Sequence, residues 1–92
     1  MAVVVITLRI MPSGPDADLN SIEKKAKEFV VSFAGKTQFK TEVKPIAFGI
    51  NSVEMIFVME ESLGSTEKLE GQISKIEDVN SVEIIDVRRA VG

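Results

Sequence analysis

The chain has no cysteine, no histidine, no tryptophan and no tyrosine. Without cysteine it can form neither a disulfide nor a thiolate nucleophile, and zinc–sulfur and iron–sulfur ligation are excluded. Without histidine it lacks the commonest general base and the commonest metal ligand, so no Ser-His-Asp or Cys-His mechanism can be assembled. Five phenylalanines are its only aromatic rings. Basic residues are outnumbered, 11 against 14 acidic, for a net charge of −3. That balance argues against free nucleic acid, whose binding rests on counterion release by a basic surface. Long apolar runs are also missing. The opening stretch from Met1 to Leu8 is interrupted by Arg9, is too short to span a membrane, and is not preceded by the basic region of a signal peptide. A cytoplasmic protein with no membrane partner is the expectation.

The 92 residues, 45% of them hydrophobic, suit one domain over 1–92 with a small core. Residues 2–11 are rich in Val and Ile and read as a strand that Met11-Pro12 stops. Val4, Ile6, Leu8 and Ile10 form one face, and Val3, Val5, Thr7 and Arg9 the other. So apolar a run predicts a central strand largely covered on both faces. Asp16 or Asp18 caps a helix to about Phe33, with Leu19, Ile22, Ala26, Phe29, Val30 and Phe33 on one stripe and Gly35 as its stop. Residues 37–43 alternate as a half-exposed edge strand. Residues 50–60 form a third strand, with Val53, Met55, Phe57 and Met59 on one face and Ile56 and Val58 on the other, again read as buried on both. Ser65 or Thr66 caps a second helix to about Ile76. Gly71 inside it predicts a close crossing over the sheet. Residues 81–89 form a fourth strand.

The order βαββαβ, with right-handed crossovers interleaved, gives a ferredoxin-like split βαβ α/β sandwich. Its expected four-stranded antiparallel sheet has order 4-1-3-2 and carries both helices on one face. This fold names no function by itself. An RNA-recognition motif needs paired aromatics on the central strands; the first has none and the third has only Phe57. Glu60-Glu61 and Glu77-Asp78 are carboxylate pairs of the kind that binds hard cations or cleaves glycosides, but they also match an ordinary solvated turn composition. No phosphate loop is present. An enzyme is not expected, and neither is a cofactor or a metal site. Arg88-Arg89 read first as charges guarding a sheet edge, and second as an anion-binding pair.

The central stretch Lys44-Pro45-Ile46-Ala47-Phe48-Gly49-Ile50 is unusual as a connection. Pro45 fixes its own φ, Gly49 permits angles a Cβ forbids, and the residues between are apolar where turns are usually polar. Such a rigid element either packs under the sheet edge or is presented to a partner.

At Pro-Ile-Ala-Phe-Gly-Ile (45–50) the chain resembles the translation elongation factor 1-beta family, in its archaeal form, and is similar to the C-terminal exchange domain of the eukaryotic factor. The likeness runs the whole length: the first strand with Met11-Pro12, the Pro15-Asp16 loop, Glu60-Glu61, the Gly64-to-Glu67 entry to the second helix, and the ending Val82 to Arg89. The resemblance implies a ferredoxin-like guanine-nucleotide exchange factor that binds the GDP-bound GTPase elongation factor 1-alpha and promotes GDP release. It also implies a partner-binding surface of Pro45, Ile46, Ala47, Phe48 and Gly49, with Phe48 as the contacting ring. Eukaryotic relatives direct a lysine near the C-terminus at the Mg²⁺ and phosphate site of the GTPase; here the end reads Arg88-Arg89-Ala90-Val91-Gly92, so Arg88 or Arg89 is expected to supply that charge. A single contact surface would require the central stretch to lie beside this C-terminal end. From a different class, a small-molecule-sensing regulatory domain of the same fold is the alternative.

Overall fold

The computed structural model describes residues 2–35, 38–47 and 49–91, the side chains of Ala90 and Val91 excepted. The elements are β1 (Ala2–Pro12), α1 (Leu19–Ala34), β2 (Phe39–Ala47), β3 (Ile50–Glu60), a 3-10 turn (Glu61–Leu63), α2 (Glu67–Ser74) and β4 (Val79–Val91). All strand pairings are antiparallel and the sheet order is β2-β3-β1-β4. This is the expected order, read from the other edge. It makes the two most apolar strands, β1 and β3, the central ones.

Each element follows from local chemistry. The Asp18 carboxylate accepts from the Ser21 N–H at 3.2 Å and starts α1. Gly35, at φ +80°, ends it and donates its N–H to the Val31 carbonyl. The Ser65 hydroxyl accepts from the Glu67 N–H at the start of α2, while Thr66 donates to the Glu70 side chain. The core is a single cluster in which Ile6, Leu8 and Ile10 of β1 meet Val53, Met55, Phe57 and Met59 of β3. Ile22, Ala26 and Val30 of α1 and Leu69 and Ile73 of α2 cover them from one side. Of the stripe foreseen for α1, Ile22, Ala26 and Val30 are buried, and Leu19, Phe29 and Phe33 pack half-buried at its margins.

Three expectations are corrected. β1 and β3 are fully buried on one face only. Val3, Val5, Ile56 and Val58 on the other face are half-buried, shielded by cross-strand neighbours such as Val5 opposite Val58 instead of by a second layer. Gly71 lies on the exposed side of α2, and a Cβ built there would have nothing within 4 Å, so no close crossing explains it. The stretch from Lys44 to Ala47 is not a connection but the end of β2. Proline is tolerated there because β2 is an edge strand, where a missing N–H breaks no ladder bond on the open side. The ladder shifts register between Pro45 and Ala47, so Ile46 is the bulged residue.

Candidate partner-binding site

The first group of predicted contact residues stands at the tip of the β2–β3 hairpin. Only two positions separate Ala47 from Ile50. One is Gly49, whose φ of +76° is the left-handed value that favours glycine. The other is Phe48, which lies outside the described residues. Pro45, Ile46, Ala47 and Gly49 are all exposed, Ile46 to 45% of its surface. Two forces hold this tip. The antiparallel ladder pairs Pro45 with Asn51 and Ala47 with Ile50. Below it, the buried Ser52 donates its hydroxyl to the Lys44 carbonyl at 3.4 Å. The open question about this stretch thus resolves outward for Pro45, Ile46 and Ala47, which are exposed, whereas Ile50 is half-buried.

Lys44 also belongs to a charged row on the open face of the sheet. The Glu42 carboxylate lies between Lys44 at 3.2 Å and Lys40 at 3.3 Å. These two ammonium groups, Lys44 more strongly, hold the Glu42 pKa below its ordinary value. Next to it, Arg9 of β1 lies 3.7 Å from Glu54 and 3.4 Å from Glu83.

The second predicted group, Arg88 and Arg89, lies on β4 opposite Val5 and Val4 of β1. Successive strand residues point to opposite faces, so the two arginines cannot act as one anion-binding pair. Arg88 is on the open face and donates to Asp86, two residues earlier, at 2.9 Å. Arg89 is on the helix face and makes a two-pronged ion pair with Glu61 of the 3-10 turn. Glu61 was visible in the sequence only as half of an acidic pair; nothing in the pattern said that it would meet β4. Among the described residues no group of three or more acidic side chains could hold a metal ion. Phe57, the one ring that an RNA-binding reading had, points into the core and is 0% exposed.

The two groups do not share a surface. The hairpin tip adjoins the start of β3, whereas Arg88 and Arg89 lie beside the start of β1, which pairs with the end of β3. From Ile50 to Glu60 the chain rises roughly 33 Å at about 3.3 Å per residue. Only the long axis of a body 42 × 21 × 18 Å accommodates that length. Tip and arginines therefore occupy opposite ends of the molecule. No helix of the described residues is long and apolar enough to cross a membrane.

The sequence profile described as the EF-1 guanine nucleotide exchange domain matches residues 5–90. The chain belongs to this family. Among curated relatives, elongation factor 1-beta of Methanobrevibacter smithii is 41% identical over 90 residues, covering 97% of this chain and 98% of its own. The elongation factor 1-beta proteins of Methanothermobacter thermautotrophicus and Methanocaldococcus jannaschii are 37% and 32% identical, covering 97% and 98% of this chain and 98% and 100% of their own. Solved structures share the fold alone. A de novo designed protein, Foldit4, superposes with a TM-score of 0.65 at 19% identity, covering 98% of both chains. BlrP1 BLUF superposes with a TM-score of 0.56 at 14% identity, over all of this chain and 57% of that one. The exchange-domain family thus places a translation and nucleotide-exchange role on a common scaffold.

Proposed function

We propose that this chain binds elongation factor 1-alpha in its GDP-bound form and accelerates release of GDP, so that GTP can reload. The observation that carries the reading is the exposed, stiffened apolar tip Pro45-Ile46-Ala47-Gly49, in a chain that matches the exchange-domain family over residues 5–90. The ladder and the fixed φ of Pro45 hold Pro45 and Ala47 in place before any partner arrives, so little conformational entropy is lost there on docking. By resemblance Phe48 supplies the contacting ring, and Pro45, Ile46, Ala47 and Gly49 shape the surface around it. Arg88 or Arg89, at the opposite end, supplies positive charge in place of the lysine found in eukaryotic relatives. A partner that engages both ends must reach across roughly 33 Å, which suits a folded GTPase better than a peptide or a small molecule.

The activity asks no chemical step of this chain. Exchange makes and breaks no covalent bond, so the absence of histidine and cysteine costs it nothing. What it needs is a complex in which nucleotide is held less tightly. Reciprocity then requires that nucleotide loosen the complex by the same factor. Titration of the chain into elongation factor 1-alpha by calorimetry tests this. Binding is expected to be tight with the nucleotide-free GTPase and weaker when Mg²⁺·GDP is saturating. Equal affinity in both states, or no binding, contradicts the proposal.

A further inference from the structure

We propose that Glu61 is a positioning residue for exchange, holding the Arg89 guanidinium side-on so that its other edge faces an oxyanion of the partner. The inference rests on the exchange reading above and adds a residue to it.

The geometry is specific. Arg89 Nη2 lies 2.7 Å from Glu61 Oε1 and 2.8 Å from Oε2, and Arg89 Nε lies 3.2 Å from Oε2. A guanidinium carries five N–H donors in a planar fork. The contacts to Glu61 use Nε and Nη2, on one side of that fork. The Nη1 side remains for a second anion, with the plane already oriented.

The placement follows from register. Val4 of β1 is flanked by Arg89 on β4 and by Met59 on β3. Glu61 lies two residues past Met59, in the 3-10 turn that Gly64 closes by donating its N–H to the Glu61 carbonyl at 3.1 Å. Gly64 sits at φ +78°, which sets the turn's exit toward α2. Glu61 also lines two shallow clefts at this end of the sheet. One, of about 360 Å³, is shared with Ala2, Glu60 and Ser62; the other with Val4, Met59, Thr66 and Val87. Arg89 lines neither cleft, but its side chain is open to water beside Glu61, so a partner group can reach it.

A purely structural role fits poorly. The side chains are 64% and 45% exposed, and ion pairs that open to water contribute little to folding. Arg88 offers the contrast. Its partner Asp86 lies on its own strand, so that pair fixes nothing between elements.

The test is a double-mutant cycle read as release of fluorescent GDP from elongation factor 1-alpha, titrated with wild type, Glu61→Gln, Arg89→Ala and the double variant. Melting temperatures are taken in parallel. Glu61→Gln is expected to raise the concentration for half-maximal stimulation about fivefold, within the range for coupled charged neighbours. Arg89→Ala should cost at least as much, and the double variant no more than Arg89→Ala alone. The exchanged pair Glu61→Arg with Arg89→Glu supplies the decisive arm. It should melt close to wild type, as each single variant should, and leave exchange impaired, because the cation then sits on the 3-10 turn. Unchanged stimulation by Glu61→Gln or by Arg89→Ala overturns the proposal. So do independent, multiplying losses in the double variant, or recovery of exchange by the exchanged pair. Failure of the wild type to stimulate release overturns the exchange reading itself, and this inference with it.

Discussion

Replacing Ile46 by Ala separates the two readings that its sequence context left open. Ile46 is the bulged residue of β2 and keeps 45% of its surface exposed. Full burial of such a side chain stabilises by about 1.5–3 kcal/mol. Roughly half of that is already realised in the folded chain, which leaves about 1 kcal/mol for a partner to gain. Truncation to Ala should therefore weaken the complex with elongation factor 1-alpha by about fivefold. The intramolecular half of the loss is of similar size, so the melting temperature should fall by roughly 4–8 °C and the protein should stay folded at assay temperature. The assay is stimulated GDP release as a function of exchange-factor concentration, beside a thermal melt followed by circular dichroism. An unchanged half-maximal concentration, with the modest drop in melting temperature, would refute the reasoning. Ile46 would then be no more than an edge residue of the hairpin.

Four further outcomes follow from the same structure. Phe48→Ala should reduce stimulated GDP release more than Ile46→Ala does, with the fold intact by circular dichroism; equal activity to wild type removes the ring from the proposed contact. Gly49→Ala places a Cβ at φ +76° with nothing within 4 Å to hit, so the cost is backbone strain alone, about 1–2 kcal/mol by chemical denaturation, and Gly49→Asn should cost less. Gly71→Ala should raise stability by about 0.5–1 kcal/mol, because Gly71 lies inside α2, exposed and without close neighbours. Glu42 has a folded pKa below its unfolded one, so its contribution is present above the ordinary glutamate range and is lost as pH falls through the depressed value. Glu42→Gln should accordingly flatten the acid limb of the stability–pH profile measured by urea unfolding.

The scaffold was legible because its signals are local and repeated. The α1 stripe Ile22, Ala26, Val30 and the β1 series Ile6, Leu8, Ile10 have only one buried solution each, and all six are buried. The apolar second faces of β1 and β3 misled, because Val5 and Val58 shield one another across the ladder and need no second layer. The reach of β2 was misjudged because Pro45 looks like a strand breaker. It is one inside a sheet, but not at an edge. That Arg88 and Arg89 face apart follows from the two-residue period of any strand, so this was available before the structure. Their distance from the hairpin tip was available too, since in the expected topology the tip adjoins the start of β3 and the arginines its end. The Glu61 contact was not available. It depends on a short 3-10 turn bringing a residue beyond β3 to the end of β4, and no periodicity encodes that.

The central claim is that this chain is an exchange factor, and the most direct measurement is release of fluorescent GDP from purified elongation factor 1-alpha, by stopped flow, with and without the chain at saturating unlabelled nucleotide. A release rate that climbs with the concentration of the chain and saturates is the predicted result. A rate that stays at the spontaneous value across the titration, with both proteins folded, would contradict it.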